Sequence, residues 1–347
     1  MSAVSPSRTV RVLAPGKINA SLLVGPPRTD GYHSVASVYL AVSLYEEVLA
    51  GPSAEPGVTL TMSSGGDGLD VPVDGLPLGP DNLAVRAAEL VAAQLDRPVP
   101  GVRLHIIKRV PVAGGMGGGS ADAAAALLAC NLFWNAGLSD AELAALAARL
   151  GADVPFALAG AAAVGLGVGD RLTPVPVEGT FHWVLAAADD GLSTPEVYRT
   201  LDRLRDADGA SVPEPTAADA AVLAALAAGD AGALAAALRN DMQRAALALA
   251  PRLAETLDAG VRSGALAALV SGSGPTVAFL AADAAAASAL ERRLLDAGHR
   301  ALAVTGPARG AHAVGHRDVP APTHHTNPHG TTPHRGADAP ADPTSGK

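Results

Sequence analysis

The sequence predicts a mixed α/β protein of two domains followed by an unstructured tail. At 347 residues the chain is long enough for about two domains. Strand-like stretches alternate with alanine-rich helical ones to about residue 310. A glycine-rich stretch also lies between an alternating strand and a strong helix, in the run VRLHIIKRV, PVAGGMGGGS, ADAAAALL.

Taken in order, RTVRVLAPGKINASLLV reads as two short strands interrupted at Ala14-Pro15-Gly16. SVASVYLAV and VTLTMS are further strand material, and DNLAVRAAELVAAQL is a helix with an Asp or Asn cap. VRLHIIKRV alternates as a strand into the glycines, and helices are expected over about 121–134 and 139–150. GADVPFALAG breaks the helical pattern, and AAAVGLGVGD and RLTPVPV return to strands. The domain break falls near 170–180, giving domains over 8–172 and 173–310. The second opens with the strand HWVLAAAD and continues through alanine-rich helices between about 194 and 260. Two strands joined by a glycine turn follow in ALAALVSGSGPTVAFLAA, then a helix over about 283–297 and the strand RALAVTGP. From 311 to 347 the chain is rich in His, Pro, Gly and Thr, a composition of disorder. Six of the ten histidines lie there, at 312, 316, 324, 325, 329 and 334.

The net charge of -9 argues against a nucleic-acid or anionic-membrane surface. An anionic substrate would need local cations or backbone donors. Cys130 is the single cysteine, so neither an intrachain disulfide nor a cysteine metal cluster is expected. The first residues form no signal-peptide-like apolar segment, and no stretch reaches the roughly 18–20 apolar residues of a membrane span. The expectation is a cytoplasmic protein with a small-molecule substrate and neither nucleic acid nor membrane as partner. Aromatics are only 3% of residues, so those placed in loops stand out.

The glycine stretch is the strongest functional signal. Backbone N–H groups of such a loop can converge on an anion, and a following helix adds unpaired amides and the positive end of its dipole. Ser120 stands at the junction, where its hydroxyl could cap the helix, face a phosphate or reach a magnesium ion. The P-loop pattern is excluded because no lysine lies between Lys108 and Ser120. The dinucleotide pattern GxGxxG fails because Ser120 takes the third glycine position when Gly115 and Gly117 take the first two.

Three other sites draw attention. Lys17 follows a turn at the head of INASLLV, as a functional cation or a solvated surface lysine. Ser271-Gly272-Ser273-Gly274-Pro275 either presents hydroxyls and amides to a phosphate or makes a plain hairpin turn. Asp153, among small and apolar residues, is either a partly desolvated base or a loop aspartate capping the backbone.

Together, APGKINASLLV, PVAGGMGGGSADAAAAL and SGSGPTVAFL, in that order, resemble the galacto-, homoserine, mevalonate and phosphomevalonate (GHMP) kinase superfamily over roughly residues 8–310. TDGYH at 29–33, the long glycine run and LGADVPFAL are similar to the branch that phosphorylates the 2-hydroxyl of a cytidine-diphosphate-linked methylerythritol. That resemblance implies an α/β (α+β) two-domain GHMP kinase fold, with a ribosomal-protein-S5-like N-terminal domain and a ferredoxin-like C-terminal domain flanking the active site. It implies ATP and Mg2+, and a monomer or homodimer. Lys17 and Asp153 become the catalytic pair, Asp153 accepting the hydroxyl proton while Lys17 holds it ionised and polarises the hydroxyl.

The same resemblance assigns ATP to Lys108 and to the loop Pro111, Val112, Ala113, Gly114, Gly115, Met116, Gly117, Gly118, Gly119, Ser120 and Ala121. It assigns the substrate to Asn19, Tyr32, His33, Thr194, Tyr198, Ser273 and Gly274, with Tyr198 offering the cytosine a second aromatic face or else being a half-buried helix residue. Two positions depart from the family pattern: Ala113 replaces a common glycine, and Asp122 a neutral residue. The magnesium ligands are not evident, Ser120 and the ATP oxygens being the expectation. Alternatives are a GHMP kinase for homoserine, a sugar or a mevalonate, or a non-catalytic nucleotide-binding protein.

Overall fold

A computed structural model describes residues 9–66, 69, 71–188 and 191–315. The chain begins with two long antiparallel strands, β1 (Val10–Pro27) and β2 (His33–Pro52), joined by the turn that carries TDGYH. Asp30 Oδ1 accepts from the Tyr32 amide at 3.0 Å, and the Arg28 amide donates to the Tyr32 carbonyl at 2.8 Å. The break expected at Ala14-Pro15-Gly16 is instead a register shift between Pro15 and Lys17 within one continuous strand. Gly16 alone stands opposite Val42, Ser43 and Leu44 of β2, so the extra residues lie in the partner strand and shift the register without ending the ladder. Lys17 is thereby positioned by a sheet rather than by a turn.

Then come β3 (Val58–Ser64), α1 (Leu83–Ala92), β4 (Val102–Lys108), α2 (Gly118–Phe133) and α3 (Asp140–Ala148). Asn82 caps α1, accepting from the Ala84 amide at 2.8 Å. A capping box between Ser139 and Glu142 starts α3. The segment GADVPFALAG, expected only to break the helical pattern, forms the short helix α4 (Val154–Ala159). Its proline in the first turn is compatible with a helix because no intrahelical amide is needed there. Strands β5 (Ala162–Gly167) and β6 (Arg171–Pro174) extend the sheet from β2.

The remainder is β7 (Phe181–Ala187), α5 (Thr194–Asp208), α6 (Ala220–Ala228), α7 (Ala231–Ala237), β8 (Arg239–Asn240), α8 (Gln243–Leu249), α9 (Arg252–Arg262), β9 (Ala267–Val270), β10 (Val277–Ala281), α10 (Ala284–Asp296), β11 (Arg300–Gly306) and β12 (His312–Val314). The first sheet runs β12-β1-β2-β4-β3, with β5 and β6 off β2 and β8 beside β1. The second is antiparallel, β11-β7-β10-β9. The transition between sheets therefore lies between Pro174 and Phe181, although β8 and β12 return to the first.

The expected tail begins too early. His312–Val314 pair with Arg11–Leu13 and cover the outer edge of β1, a row of backbone groups that otherwise stays unpaired. The later part of the tail, including His316, His324, His325, His329 and His334, lies outside the described residues. Among the described residues no helix is long and apolar enough to cross a membrane.

Alanine governs the packing around α2. Ala121, Ala123 to Ala126 and Ala129 are fully buried with Cys130 between α1 and strands β1, β2 and β4. Small side chains let the helix lie close to its neighbours, so the point where it begins is fixed by its surroundings. A second cluster joins the two sheets, with Ile18, Leu40 and Met116 meeting Phe181, Trp183 and Leu280. In the third, Gly260 of α9 lies on the ring of Phe279, where an added Cβ would come within 2.0 Å of a ring carbon. Phe279 is fully buried, so its ring has no solvent to turn into. Gly260→Ala should therefore lower stability by about 1–3 kcal/mol. Urea unfolding measures this, and an unchanged midpoint would contradict the packing described.

Candidate active site

The cleft has a volume of about 1510 Å³ and is lined from both sheets, by Lys17, Asn19 and His33 on one side and Leu192, Tyr198, Gly272 and Ser273 on the other. Ligand sites commonly enclose about 300–1,000 Å³, so this one has room for two molecules.

Lys17 stands at its centre. Its ammonium donates to Asn19 Oδ1 at 2.8 Å, lies 5.3 Å from the centre of the Tyr39 ring and is 3.7 Å from Asp153 Oδ2. Asn19 is itself held, donating to Ser37 Oγ at 2.7 Å, and Ser37 donates to the Ser21 carbonyl at 2.9 Å. The lysine is thus oriented through a chain of hydrogen bonds rooted in the β1–β2 ladder. The Lys17 side chain is 10% exposed and that of Asp153 30%, so the carboxylate is the more open to an incoming group. Burial, with the charge of Asp153 nearby, raises the Tyr39 hydroxyl well above its usual range and pushes Tyr198 up to about 12. Both phenols are neutral neighbours of the pair.

The glycine stretch wraps this centre. Gly117 has φ +71°, serves as N-cap of α2, and brings its Cα toward Lys17 and Asp153: an added Cβ would sit 3.5 Å from Lys17 Cγ and 3.6 Å from Asp153 Oδ2. Gly115 has φ +76°, and a Cβ there would lie 2.0 Å from the Ser271 carbonyl oxygen. In the space so freed, Ser271 Oγ donates to the Gly115 carbonyl at 3.1 Å and the Thr276 amide to the Gly114 carbonyl at 3.3 Å. Met116, between these glycines, points away into the core, fully buried, while its carbonyl accepts from the Lys17 amide at 3.0 Å. Ala113 takes φ +50°, the restricted conformation that its replacement of glycine implies.

Ser120 sits in the first turn of α2 and does not cap it; Gly117 provides the cap through its backbone alone. The first amides of a helix lack intrahelical partners, and here Gly118, Gly119 and Ser120 line the cleft. Of the loop residues singled out from sequence, Met116 and Ala121 do not line it, being buried, and neither does Gly274, whose amide closes the Ser271–Gly274 turn.

Lys108 lines the cleft, but its ammonium is already engaged. It donates to Glu46 Oε1 at 2.5 Å and Asp122 Oδ2 at 2.7 Å, and all three side chains are at least nine-tenths buried. Burial and the neighbouring Asp122 push the Glu46 carboxyl up to about 8 against the pull of Lys108. Burial raises Asp122 as well. Burial alone would lower Lys108, but the two carboxylates outweigh it and raise the ammonium above its usual range.

The TDGYH turn delivers Tyr32, 64% exposed, and His33, which is buried. The His33 ring stacks on Tyr198 with centroids 4.7 Å apart and planes at 18°, and its Nε2 is 3.0 Å from Asp202 Oδ1. Thr194 Oγ1 and Ser273 Oγ are 2.9 Å apart, joining the start of α5 to the glycine turn. Sequence reasoning missed Tyr39, Asp202 and the wall of Met62, Leu76, Pro77 and Leu83 with Asp81 and Asn82. None belongs to a motif; the helix cap at Asn82 was the one signal within that wall.

The family models for "GHMP kinases N terminal domain" and "GHMP kinases C terminal" match residues 82–161 and 222–300. A 4-diphosphocytidyl-2-C-methyl-D-erythritol kinase of Paenarthrobacter aurescens is 57% identical over 312 residues, covering 89% of this chain and 96% of the relative. One of Pseudarthrobacter chlorophenolicus is 60% identical over 308 residues, covering 89% and 96%. A crystal structure of 4-(cytidine 5'-diphospho)-2C-methyl-D-erythritol kinase superimposes with a TM-score of 0.69 at 33% identity, over 87% of this chain and 99% of that one.

The buried triad generates a pH prediction. A carboxyl raised in the folded state binds its proton more tightly there than in the unfolded chain, so its contribution is lost as pH rises from about 4.5 toward 8. Asp122→Asn removes the like charge facing Glu46 and should flatten the alkaline fall of the thermal midpoint between pH 5 and 9. Parallel curves for the two proteins would refute the coupling.

Proposed function

The chain belongs to the 4-diphosphocytidyl-2-C-methyl-D-erythritol kinase family of GHMP kinases, and we propose that it transfers the γ-phosphoryl group of ATP to the 2-hydroxyl of 4-diphosphocytidyl-2-C-methyl-D-erythritol. The observation that carries the reading is the meeting of Lys17 and Asp153 beneath the amide-rich start of α2. A carboxylate, an ammonium and the first amides of a helix share one cleft, which supports a phosphoryl transfer there.

In this reading the loop amides and the α2 dipole take the phosphates. The wall of Met62, Leu76, Pro77 and Leu83 takes the flat adenine. Asp153 accepts the hydroxyl proton as the oxygen bonds to the γ-phosphorus, and the bond from that phosphorus to the bridging oxygen breaks to release ADP. Lys17, fixed by Asn19 and Tyr39, polarises the hydroxyl and offsets charge on the phosphoryl oxygens. Lys17 and Asp153 lie 3.7 Å apart, so one hydroxyl beside the pair can lie within hydrogen-bond reach of both. His33, Tyr198 and Tyr32 form the cytosine subsite, in which one face of Tyr198 is covered by His33.

Magnesium fits as a companion of the phosphates. Among the described residues no group of three or more acidic, histidine or cysteine side chains is arranged for a metal, and the acids nearest the loop already hold Lys108 between them. Magnesium commonly keeps several waters and is held by few protein oxygens plus phosphates, so Ser120 and the ATP oxygens would hold it here. When bound, it neutralises phosphate charge.

Incubation with ATP, magnesium and the cytidine substrate should produce ADP and phosphorylated product, and no turnover above background would overturn the assignment. Asp153→Asn should lower kcat by about 10²–10⁴-fold, with ATP affinity nearly unchanged, and Lys17→Ala should lower kcat as well. Near-normal turnover in either variant rejects the roles given to this pair.

A further inference from the structure

His33 is held by two residues of one helix. Tyr198 and Asp202, four apart on α5, lie one above the other. Tyr198 covers the face of the imidazole at 4.7 Å and Asp202 meets its edge at Nε2, 3.0 Å away. His33 is 7% exposed and lines the cleft. Among the described residues no protein group hydrogen-bonds its other nitrogen, Nδ1. An ionised carboxylate only accepts, so it selects the neutral tautomer with hydrogen on Nε2 and leaves Nδ1 a bare acceptor.

We infer that Asp202 is a specificity-determining positioning residue, which fixes the His33 tautomer so that Nδ1 accepts from the exocyclic amine of cytosine and rejects uracil. This rests on the cytidine reading above. The two pyrimidines differ at position 4, where cytosine carries an amine donor and uracil a carbonyl acceptor. A bare Nδ1 satisfies the amine but sets two acceptors against each other when uracil enters. A site built to pair with a donor excludes the analogue that lacks it because the facing polar groups are left unpaired. Asp202 does this from outside the contact, acting through the ring.

Asp202→Asn tests the inference, since an amide can donate to Nε2 and so permit the opposite tautomer. Calorimetry of CDP and UDP binding to the full-length protein should show the wild type favouring CDP. The variant should narrow that preference at least about tenfold, with ATP affinity and thermal midpoint little changed. An unchanged CDP-to-UDP ratio in the variant overturns the role of Asp202. Failure of the wild type to bind CDP at all overturns the cytidine reading on which it rests. A second measurement needs no variant: imidazole ¹H–¹⁵N spectra of the wild-type CDP complex at pH 8 should show His33 protonated at Nε2 and bare at Nδ1. The reversed tautomer there refutes the inference even if Asp202→Asn does not fold.

Discussion

The site depends on how closely two backbone turns approach each other. Gly115 passes the Ser271 carbonyl at a distance that leaves no room for a Cβ, and Gly117, in the left-handed conformation, lies in van der Waals reach of Lys17 and Asp153. One turn belongs to the first sheet's strand-loop-helix unit and the other joins β9 to β10 of the second. Their interlock, through Ser271 Oγ on the Gly115 carbonyl and the Thr276 amide on the Gly114 carbonyl, sets the width of the cleft where both sheets contribute to it. Met116 resolves the apparent conflict of a flexible sequence making a rigid loop. Buried in the core between two left-handed glycines, it pins the middle of the loop. Its carbonyl carries that rigidity to the Lys17 amide.

The Glu46–Lys108–Asp122 triad fixes the remaining coordinate. Lys108 ends β4, Glu46 lies in β2, and Asp122 stands in the first turns of α2, so one ammonium ties the strand entering the loop to the helix leaving it. Buried ion pairs contribute little net stability against an apolar replacement. A positional role therefore explains this triad better than an energetic one. Asp122, which departs from the family's neutral residue, is a buried partner of Lys108 with one oxygen, Oδ1, lacking a protein hydrogen bond.

Much of this was legible because it is local. The glycine run, the alternating strand before it and the alanines after it specify a strand, an anion loop and a buried helix within one continuous segment. Ala113 announced its positive φ by replacing a glycine. Lys17 and Asp153, 136 positions apart, were paired only through family resemblance, since nothing in spacing relates a register shift in the β1–β2 ladder to the residue before α4. Sequence also misjudged this point of β1, because Pro15-Gly16 has the composition of a turn and only the β2 ladder shows the strand continuing through it. β12 was hidden for a similar reason: a short polar segment becomes a strand only because the edge of β1 is there to pair with it. Asp202 escaped notice because an acid on a charged helix is ordinary until a buried histidine is found against it.

The charge distribution explains how a chain of net charge -9 handles polyanionic reactants. Lys108, just ahead of the loop in sequence, is buried against Glu46 and Asp122 and has little field left to offer a phosphate. Lys17 lines the cleft and faces Asp153. In the proposed reaction, backbone amides and the α2 dipole, which add no formal charge, do most of the anion binding. That division has a chemical merit. Donors fixed in a backbone keep their orientation as charge moves from the γ-phosphoryl to the departing ADP, so they need little reorganisation during the transfer. Lys17 can then act on the reacting hydroxyl, where a mobile ammonium spent on holding phosphate would be misplaced.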